Sequence, residues 1–213
     1  MKATPTLSDL MTLDLPEASC GPWQVSRFEV PEHSLANLRE ALNGGRQTKP
    51  GWYTMLTKHG QVWMSDTDAE KRDHITPLLE LRKLEQGSFL MGGLGLGMVL
   101  QAALQLGTLA SVDVLEIDPC VIQLMGPHYQ ELAAAQGVKL TIHLADAYLQ
   151  KWAPGSHWDV AWWDIWPSLC TDNLDQMAKL KRSYGKRTTW QGCWGQELLQ
   201  AQKRRDQRQG WWS

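Results

Sequence analysis

The sequence is poor in the residues that build metal sites, disulfide frameworks and nucleophile turns. Among 213 residues there are four cysteines, and no two of them have the two-residue spacing of a zinc site. The six histidines show no metal-ligand spacing either, and no serine lies in a nucleophile turn. The sequence therefore predicts no metal, and we expect free thiols at Cys20, Cys120, Cys170 and Cys193.

Long hydrophobic runs are also lacking. No window reaches the length of about 20 apolar residues that a membrane-spanning helix needs. The segment Met1–Leu15 mixes Asp9 and Asp14 with Pro5, which is unlike a secretory signal. With 43% hydrophobic residues, the chain can build one domain with a smaller appendage. We therefore expect a cytoplasmic protein that does not enter the membrane.

Acidic and basic residues are unevenly distributed along the chain. The formal net charge is −2, but Lys179–Ser213 contains nine lysines and arginines and only two acids. Such a basic end could bind nucleic acid or an acidic partner, and nearby tryptophans could stack on bases. The simpler interpretation is a solvated helix with a frayed tail. The tryptophans of this region are Trp190, Trp194, Trp211 and Trp212.

The first 85 residues predict an appendage that contains helices and a β-hairpin. After a loose leader, Pro31–Leu42 has helical spacing and ends at Asn43-Gly44-Gly45. Aromatic and apolar residues in Trp52–Thr57 and Gln61–Met64 predict two strands, with a glycine in the turn between them. One further helix is predicted over residues 66–84.

From residue 86 to residue 195, apolar strands and helical segments alternate. This alternation predicts an α/β fold, a Rossmann-like parallel sheet flanked by helices in the order 3-2-1-4-5. Trp162 and Trp163 should fill the core on opposite faces of the fourth strand. Residues 196–213 are predicted to form a basic helix and tail, and the exposed edge of strand five favours a homodimer. The predicted strands are Ser88–Gly92, Val112–Ile117, Lys139–Leu144, Val160–Trp163 and Arg187–Gln191, with helices at Met98–Leu106, Pro119–Gln136 and Asp172–Tyr184.

A glycine turn follows the first strand, and an acid lies near the end of the second. Glycines let a backbone approach a ligand closely, and an acid at that position can accept both hydroxyls of a ribose. A nicotinamide-binding turn usually reads GxGxxG, but Met98 occupies its last glycine position. The pattern predicts a site for a nucleoside-bearing cofactor at Gly93, Gly95, Gly97 and Glu116.

Two further acids follow the third and fourth strands. Asp146 precedes Ala147, where a carboxylate beside the backbone can receive an adenine amino group. Asp164 ends the fourth strand, at the edge of the sheet where ligands of this architecture bind. Asp118 precedes Pro119 and is expected to cap a helix rather than bind a ligand. Together with the glycine turn, these acids resemble the site of the class I S-adenosylmethionine-dependent fold.

Within that superfamily, the sequence resembles the spermidine synthase branch between about Trp52 and Trp194. The family's GGGDGG motif falls on residues 93–98, and its VEID-type strand falls on residues 114–118. The hairpin and the helix start that precede them are also similar to those of the family. The remaining similar segments are Asp146-Ala147, Trp158–Asp164 and Gln191-Gly192.

The resemblance implies S-adenosylmethionine as cofactor, S-adenosylhomocysteine as product and no metal. Ile117 and Ala147 would then border the adenosine beside the two acids already named. Asp164 would accept a proton from the acceptor, or hydrogen-bond to it. His74 could face the same pocket, but we expect it to be a satisfied or exposed histidine. The substrate-binding candidates are Tyr53, Gln191 and Trp166, of which Trp166 could stack on the acceptor or cover the pocket from water.

Two departures from the family pattern argue against polyamine synthesis. The acid of GGGDGG, which helps to hold the amine of the aminopropyl donor, falls on Leu96, and the family's Tyr-Gln pair becomes Tyr53-Thr54. S-adenosylmethionine carries a carboxylate of its own, which a nearby acid would repel. Methyl transfer to a small molecule, an amine, is therefore the preferred prediction. The alternatives are aminopropyl transfer and a non-catalytic interaction or nucleic-acid-binding protein that keeps the fold.

Overall fold

The computed structural model describes residues 5–32 and 48–209. Almost all of the predicted helix Pro31–Leu42, its glycine stop, and Trp211 and Trp212 lie outside the described residues. Within them, no helix is long and apolar enough to cross a membrane.

The N-terminal part forms a four-stranded antiparallel sheet with the order β1-β2-β3-β4. The predicted hairpin is confirmed, and a two-residue turn at His59 and Gly60, both with positive φ, connects its strands. The first two strands are additions to the prediction. Strand β1 has only three residues, too few to show a period, whereas Trp23–Val30 carries alternating apolar and polar residues that indicate a strand. The elements are α1 (Leu7–Leu10), β1 (Ala18–Cys20), β2 (Trp23–Val30), β3 (Gly51–Lys58) and β4 (Gln61–Ser65).

Two short helices, α2 (Asp68–Asp73) and α3 (Ile75–Leu81), replace the single helix predicted over residues 66–84. The helix is interrupted at His74, whose φ of −108° and ψ of 9° are not helical. The interruption matters for the site, because the side chain of His74 is bonded at both ring nitrogens.

The remaining elements build a five-stranded parallel sheet, which confirms the predicted α/β class. Its order is β7-β6-β5-β8-β9, which reads 3-2-1-4-5 when the strands are counted from β5. The central strand β5 pairs with β6 on one side and β8 on the other. The strands are β5 (Gly87–Gly92), β6 (Leu109–Glu116), β7 (Lys139–Leu144), β8 (Trp158–Trp163) and β9 (Thr188–Cys193). The helices are α4 (Met98–Gln105), α5 (Pro119–Ala135), α6 (Asn173–Tyr184) and α7 (Gln196–Gln209).

Alternate residues of the parallel strands enter two apolar cores, one on each face of the sheet. Trp162 belongs to one core and Trp163 to the other, as their adjacent positions in β8 require. The ring of Trp163 lies 4.5 Å from that of Tyr184, centroid to centroid. The prediction that both tryptophans are structural is therefore confirmed.

A disulfide bond between Cys20 and Cys120 corrects the prediction of four free thiols. It joins β1 to the first turn of α5, with 5.3 Å between the two Cα atoms. A pairing across 100 residues has no spacing signal in the sequence. Cys170 is free and exposed; Cys193 is free, and burial raises the pKa of its thiol to about 12. Disulfides are more common in oxidising compartments, so the cytoplasmic location stays a prediction without support from this bond.

Candidate functional site

A cavity of about 420 Å³ lies at the carboxyl ends of the central parallel strands. Ligand sites of small molecules commonly have volumes of about 300–1,000 Å³, and this edge is where doubly wound sheets bind ligands. Three groups of residues line it. The parallel sheet supplies residues 93–95, 115–118, 145–148 and 164–167; the antiparallel sheet supplies Trp23, Lys58, Trp63 and Met64; and Glu70, His74, Val121 and Trp194 complete the wall.

The glycine turn is shaped by close contacts of its backbone. Gly93 has a φ of +86°, and a Cβ atom there would collide with the backbone carbonyl of Asp164. Gly95 also lines the cavity, beneath Met64, whose Sδ accepts a hydrogen bond from the backbone N–H of Leu96. Gly97 does not line the cavity, because it packs against the ring of Tyr129. Of the three predicted glycines, Gly93 and Gly95 therefore line the cavity, whereas Gly97 has a packing role.

Glu116 lines the cavity and is only 8% exposed. Its Oε2 accepts the backbone N–H of Leu94 and its Oε1 that of Asp118, both over 2.8 Å. A carboxylate offers about four lone-pair positions, so two remain after these bonds. Glu116 thus offers two buried acceptor positions, and the two hydroxyls of a vicinal diol can donate to them.

Asp118 caps helix α5, as predicted. Its Oδ1 accepts the backbone N–H of Cys120 over 2.9 Å. Its Oδ2 accepts the indole N–H of Trp23 over 2.7 Å, which attaches the antiparallel sheet to the parallel one. Each oxygen thus accepts a bond within the protein, so Asp118 has a structural role in the wall of the cavity.

The predicted adenine side is brought together at the ends of β6 and β7. Ile117 is 67% exposed and Ala147 is buried, and both line the cavity. Asp146 uses Oδ1 to accept the backbone N–H of Tyr148 over 2.7 Å. No described residue donates to its Oδ2, so that oxygen is available to a ligand amine.

Asp164 lines the opposite end of the cavity and pairs with His74, which sequence reasoning set aside. The Nε2 of His74 lies 2.8 Å from Asp164 Oδ2, and its Nδ1 lies 2.8 Å from the carbonyl oxygen of Glu70. Burial alone would lower the pKa of the His74 imidazolium, but the hydrogen bond and charge of Asp164, together with Glu70, raise it to about 9. The two residues are 90 positions apart, so no local pattern could reveal the pair.

The three predicted substrate contacts have different outcomes. Trp166 lines the cavity but is 6% exposed, and its indole N–H is bonded to Gln176, so it forms a wall. Gln191 does not line this cavity, because its amide bonds the indole of Trp163 and the carbonyl of Lys181. Tyr53 is also outside the lining, and its hydroxyl donates to the carbonyl of Lys49.

The charge on the lining is mostly negative. Lys58 is the one lysine or arginine among the described lining residues, and its Nζ lies 4.7 Å from the ring of Trp23 and 5.3 Å from that of Trp63. The acidic lining residues are Glu70, Glu116, Asp118, Asp146 and Asp164. In the described part of the chain, no three His, Cys, Asp or Glu side chains are grouped as a metal site would require.

No protein-family model and no curated protein matches this sequence. Solved structures share part of its fold. A Haemophilus influenzae protein provisionally described as a methylase is 19% identical, with a TM-score of 0.42, over 53% of this chain and 62% of its own. The pyocyanin biosynthetic protein PhzM is 19% identical, with a TM-score of 0.40, over 55% of this chain and 32% of its own.

A third structure is phosphoethanolamine N-methyltransferase 1 of Haemonchus contortus, with phosphoethanolamine and S-adenosylhomocysteine bound. It is 19% identical, with a TM-score of 0.38, over 54% of this chain and 23% of its own. In all three comparisons the chain spans less than two thirds of the matched protein. The strand order and the position of the cavity define a Rossmann-like α/β protein, a fold on which many different activities occur.

Proposed function

We propose that the protein is an S-adenosylmethionine-dependent methyltransferase that acts on a small molecule. The observation that carries this proposal is the buried carboxylate of Glu116, held between the glycine turn and the end of β6 with two acceptor positions left. An acid at this place suits the two hydroxyls of a ribose.

The residues on either side of Glu116 fit the rest of such a cofactor. Ile117 and Ala147 offer apolar surface to an adenine ring, and Asp146 Oδ2 can accept its amino group. Gly93 and Gly95 line the cavity, so the backbone of the turn can contact the tail of the cofactor. When bound, S-adenosylmethionine supplies a methyl group activated by its sulfonium charge.

The acidic lining supports a positively charged ligand. Five acids line the cavity, against Lys58 and the imidazolium of His74. An acidic cavity raises the local concentration of a cation and opposes an anion of similar size. A dinucleotide cofactor, which carries a negatively charged pyrophosphate, suits this lining less well.

Asp164 is the residue that would act on the methyl acceptor. It lies at the end of β8, on the far side of Gly93 from Glu116, and its backbone is fixed by a 2.9 Å hydrogen bond from its N–H to the carbonyl of Gly92. A carboxylate there can hydrogen-bond the attacking group and take its proton. An amine is the first class of acceptor to test.

Aminopropyl transfer, the activity of the spermidine synthase branch, is the second candidate. The position of the acid in that branch is occupied by Leu96, which is fully buried and has no carboxylate for the donor amine. Tyr53, the other position taken from that branch, is outside the lining. Both observations favour the methyl donor over its decarboxylated form.

Calorimetric titration of the purified protein tests the proposal. S-adenosylmethionine, S-adenosylhomocysteine, decarboxylated S-adenosylmethionine and NAD are titrated in parallel. Tight binding of the first two supports a methyltransferase. Preference for the decarboxylated compound would favour aminopropyl transfer. If none of the four compounds binds, the proposed function is wrong, and the basic C-terminal helix becomes the next region to test for a partner.

A further inference from the structure

His74 occupies the break between α2 and α3, where its side chain is fixed at both ring nitrogens. The carbonyl oxygen of Glu70 can only accept, so Nδ1, which lies 2.8 Å from it, must carry a hydrogen. Nε2 lies 2.8 Å from Asp164 Oδ2. If Asp164 is ionised, an attractive contact requires a second hydrogen on Nε2. The pair therefore holds one proton more than a neutral histidine beside a carboxylate.

The surroundings of the ring keep that proton in place. Two acidic groups face it: Asp164, from the end of β8, and Glu70, from α2. The other rings packed against it carry no charge, because they are Trp194, stacked at 6.1 Å, and Trp162, edge-on at 6.4 Å. The side chain of His74 is only 4% exposed, so water offers no alternative partner for either nitrogen.

The pairing divides the two oxygens of Asp164 between different tasks. Oδ2 is held by His74, whereas no described residue donates to Oδ1. The backbone of Asp164 is also fixed, because its N–H bonds Gly92 and its carbonyl lies against Gly93. A carboxylate held at its backbone and at one oxygen has little freedom to rotate the other oxygen away from the cavity.

We propose that His74 is a positioning residue, which holds Asp164 by Oδ2 so that Oδ1 is the oxygen that accepts the hydrogen of the methyl acceptor. This role rests on the proposed function. When the acceptor bonds to the methyl carbon, its N–H or O–H bond breaks and the proton moves to Oδ1. The bond between that carbon and the donor sulfur breaks, and the sulfur keeps the electron pair. His74 keeps both hydrogens throughout.

The reaction also defines the state of the acceptor at Oδ1. The acceptor atom attacks the methyl carbon through a lone pair, so it is uncharged when bound, either a free amine or a hydroxyl.

Two ligands that do not need the unknown acceptor test this role. The binding of S-adenosylhomocysteine reports on the residues that would hold the cofactor. Sinefungin carries an amine where S-adenosylmethionine carries its methyl group, so its N–H can donate to Oδ1. The quantity measured is the ratio of the two dissociation constants, from calorimetry. We expect Asp164→Asn and His74→Ala to weaken the binding of sinefungin by roughly tenfold or more relative to that of S-adenosylhomocysteine. This is the effect of losing one charge-assisted hydrogen bond.

Two variants serve as controls. His74→Gln keeps an N–H donor for Oδ2 and should retain most of the preference for sinefungin. His143→Ala removes a second His–Asp pair, with Asp113 at 2.7 Å, that lies outside the cavity lining. His143→Ala should leave the dissociation constants of both ligands unchanged.

The outcomes separate the two proposals. If wild-type protein binds neither ligand, the proposed function fails and the positioning role falls with it. If both ligands bind and His74→Ala leaves the ratio unchanged, only the positioning role is wrong. Tighter binding of sinefungin by His74→Ala would also overturn it, because His74 would then merely neutralise Asp164.

A spectroscopic measurement checks the proton itself. Nitrogen-15 spectra of the histidine rings should show both nitrogens of His74 protonated at pH 7.5, with a titration midpoint near 9. In Asp164→Asn that midpoint should fall well below 9, because the opposing charge is gone. An unchanged midpoint in this variant would overturn the pairing on which the positioning role depends.

Discussion

The indole N–H of Trp23 donates to Asp118 Oδ2 over 2.7 Å, and this bond joins the two sheets at the rim of the cavity. The disulfide between Cys20 and Cys120 crosses the same junction. Because Asp118 also caps α5, the two connections fix the antiparallel sheet to the helix that follows β6. One wall of the cavity therefore depends on these two connections, and the N–H of Asp118 is itself bonded to Glu116.

Removing the disulfide should lower stability substantially. In Cys20→Ser, the unfolded chain regains the freedom of a loop that spans 100 residues, and the free energy of unfolding should fall by about 2–5 kcal/mol. Urea unfolding measures this loss. A reducing agent should lower the stability of the wild type and leave that of Cys20→Ser unchanged. Cys170→Ser, at an exposed free thiol, is the matched control. Equal stability of wild type and Cys20→Ser would contradict the bond.

Glu116→Gln should weaken the binding of S-adenosylhomocysteine on the order of 10- to 100-fold. The charge that strengthens the hydrogen bonds is lost, and one N–H of the new amide faces a backbone N–H where an oxygen accepted before. Calorimetry gives the dissociation constant. Glu131→Gln, at an exposed position on α5, should leave it unchanged. Wild-type affinity in Glu116→Gln would remove the main support for a ribose at this site.

Gly97→Ala should be more damaging than the same change at Gly107. Both glycines have positive φ, +76° and +69°, so both alanines carry the backbone cost of about 1 kcal/mol. At position 97 the new Cβ also runs into the ring of Tyr129, whereas at position 107 nothing lies within 4 Å. We expect a total loss of about 3 kcal/mol at position 97. Similar unfolding free energies for the two variants would contradict this prediction, because they would mean that the turn and Tyr129 can move to accommodate the Cβ atom.

Stability should decline between pH 6.5 and pH 9 because of His74. The folded protein holds the His74 proton more tightly than the unfolded chain, since its pKa rises from 6.5 to about 9. The resulting gain in the free energy of unfolding is complete below pH 6.5 and is lost as the pH rises through 9. A rise of this size corresponds to on the order of 3 kcal/mol. Denaturant unfolding of wild type and His74→Gln across this range should show the decline in the wild type alone.

The parallel sheet could be predicted from the sequence because each of its strands is a local signal. In Lys139–Leu144, for example, polar and apolar residues alternate as in a half-buried strand, and the predicted bounds of this strand agree with the structure. The acids Glu116, Asp146 and Asp164 could be placed at the cavity for a related reason, since parallel strands end at one edge. The homodimer and the nucleic-acid partner stay predictions.

What the sequence could not reveal depends on contacts between distant parts of the chain. His74 bonds Asp164 across 90 residues, and Cys20 bonds Cys120 across 100. Tyr53 and Gln191 were placed by resemblance, but their hydrogen-bonding groups are bound to nearby groups outside the cavity. Strand β1 was missed because three residues are too few to show a period.

The lining of the cavity runs from Trp23 near the start of the chain to Trp194 after its last strand. A ribosome adds these residues in order, so a nascent chain lacks part of the wall until Trp194 has left the exit tunnel. Glu116 and its glycine turn are made much earlier, but the pair formed by His74 must wait for β8. A ligand that needs the complete lining can therefore help this protein to fold only after Trp194 has been synthesised.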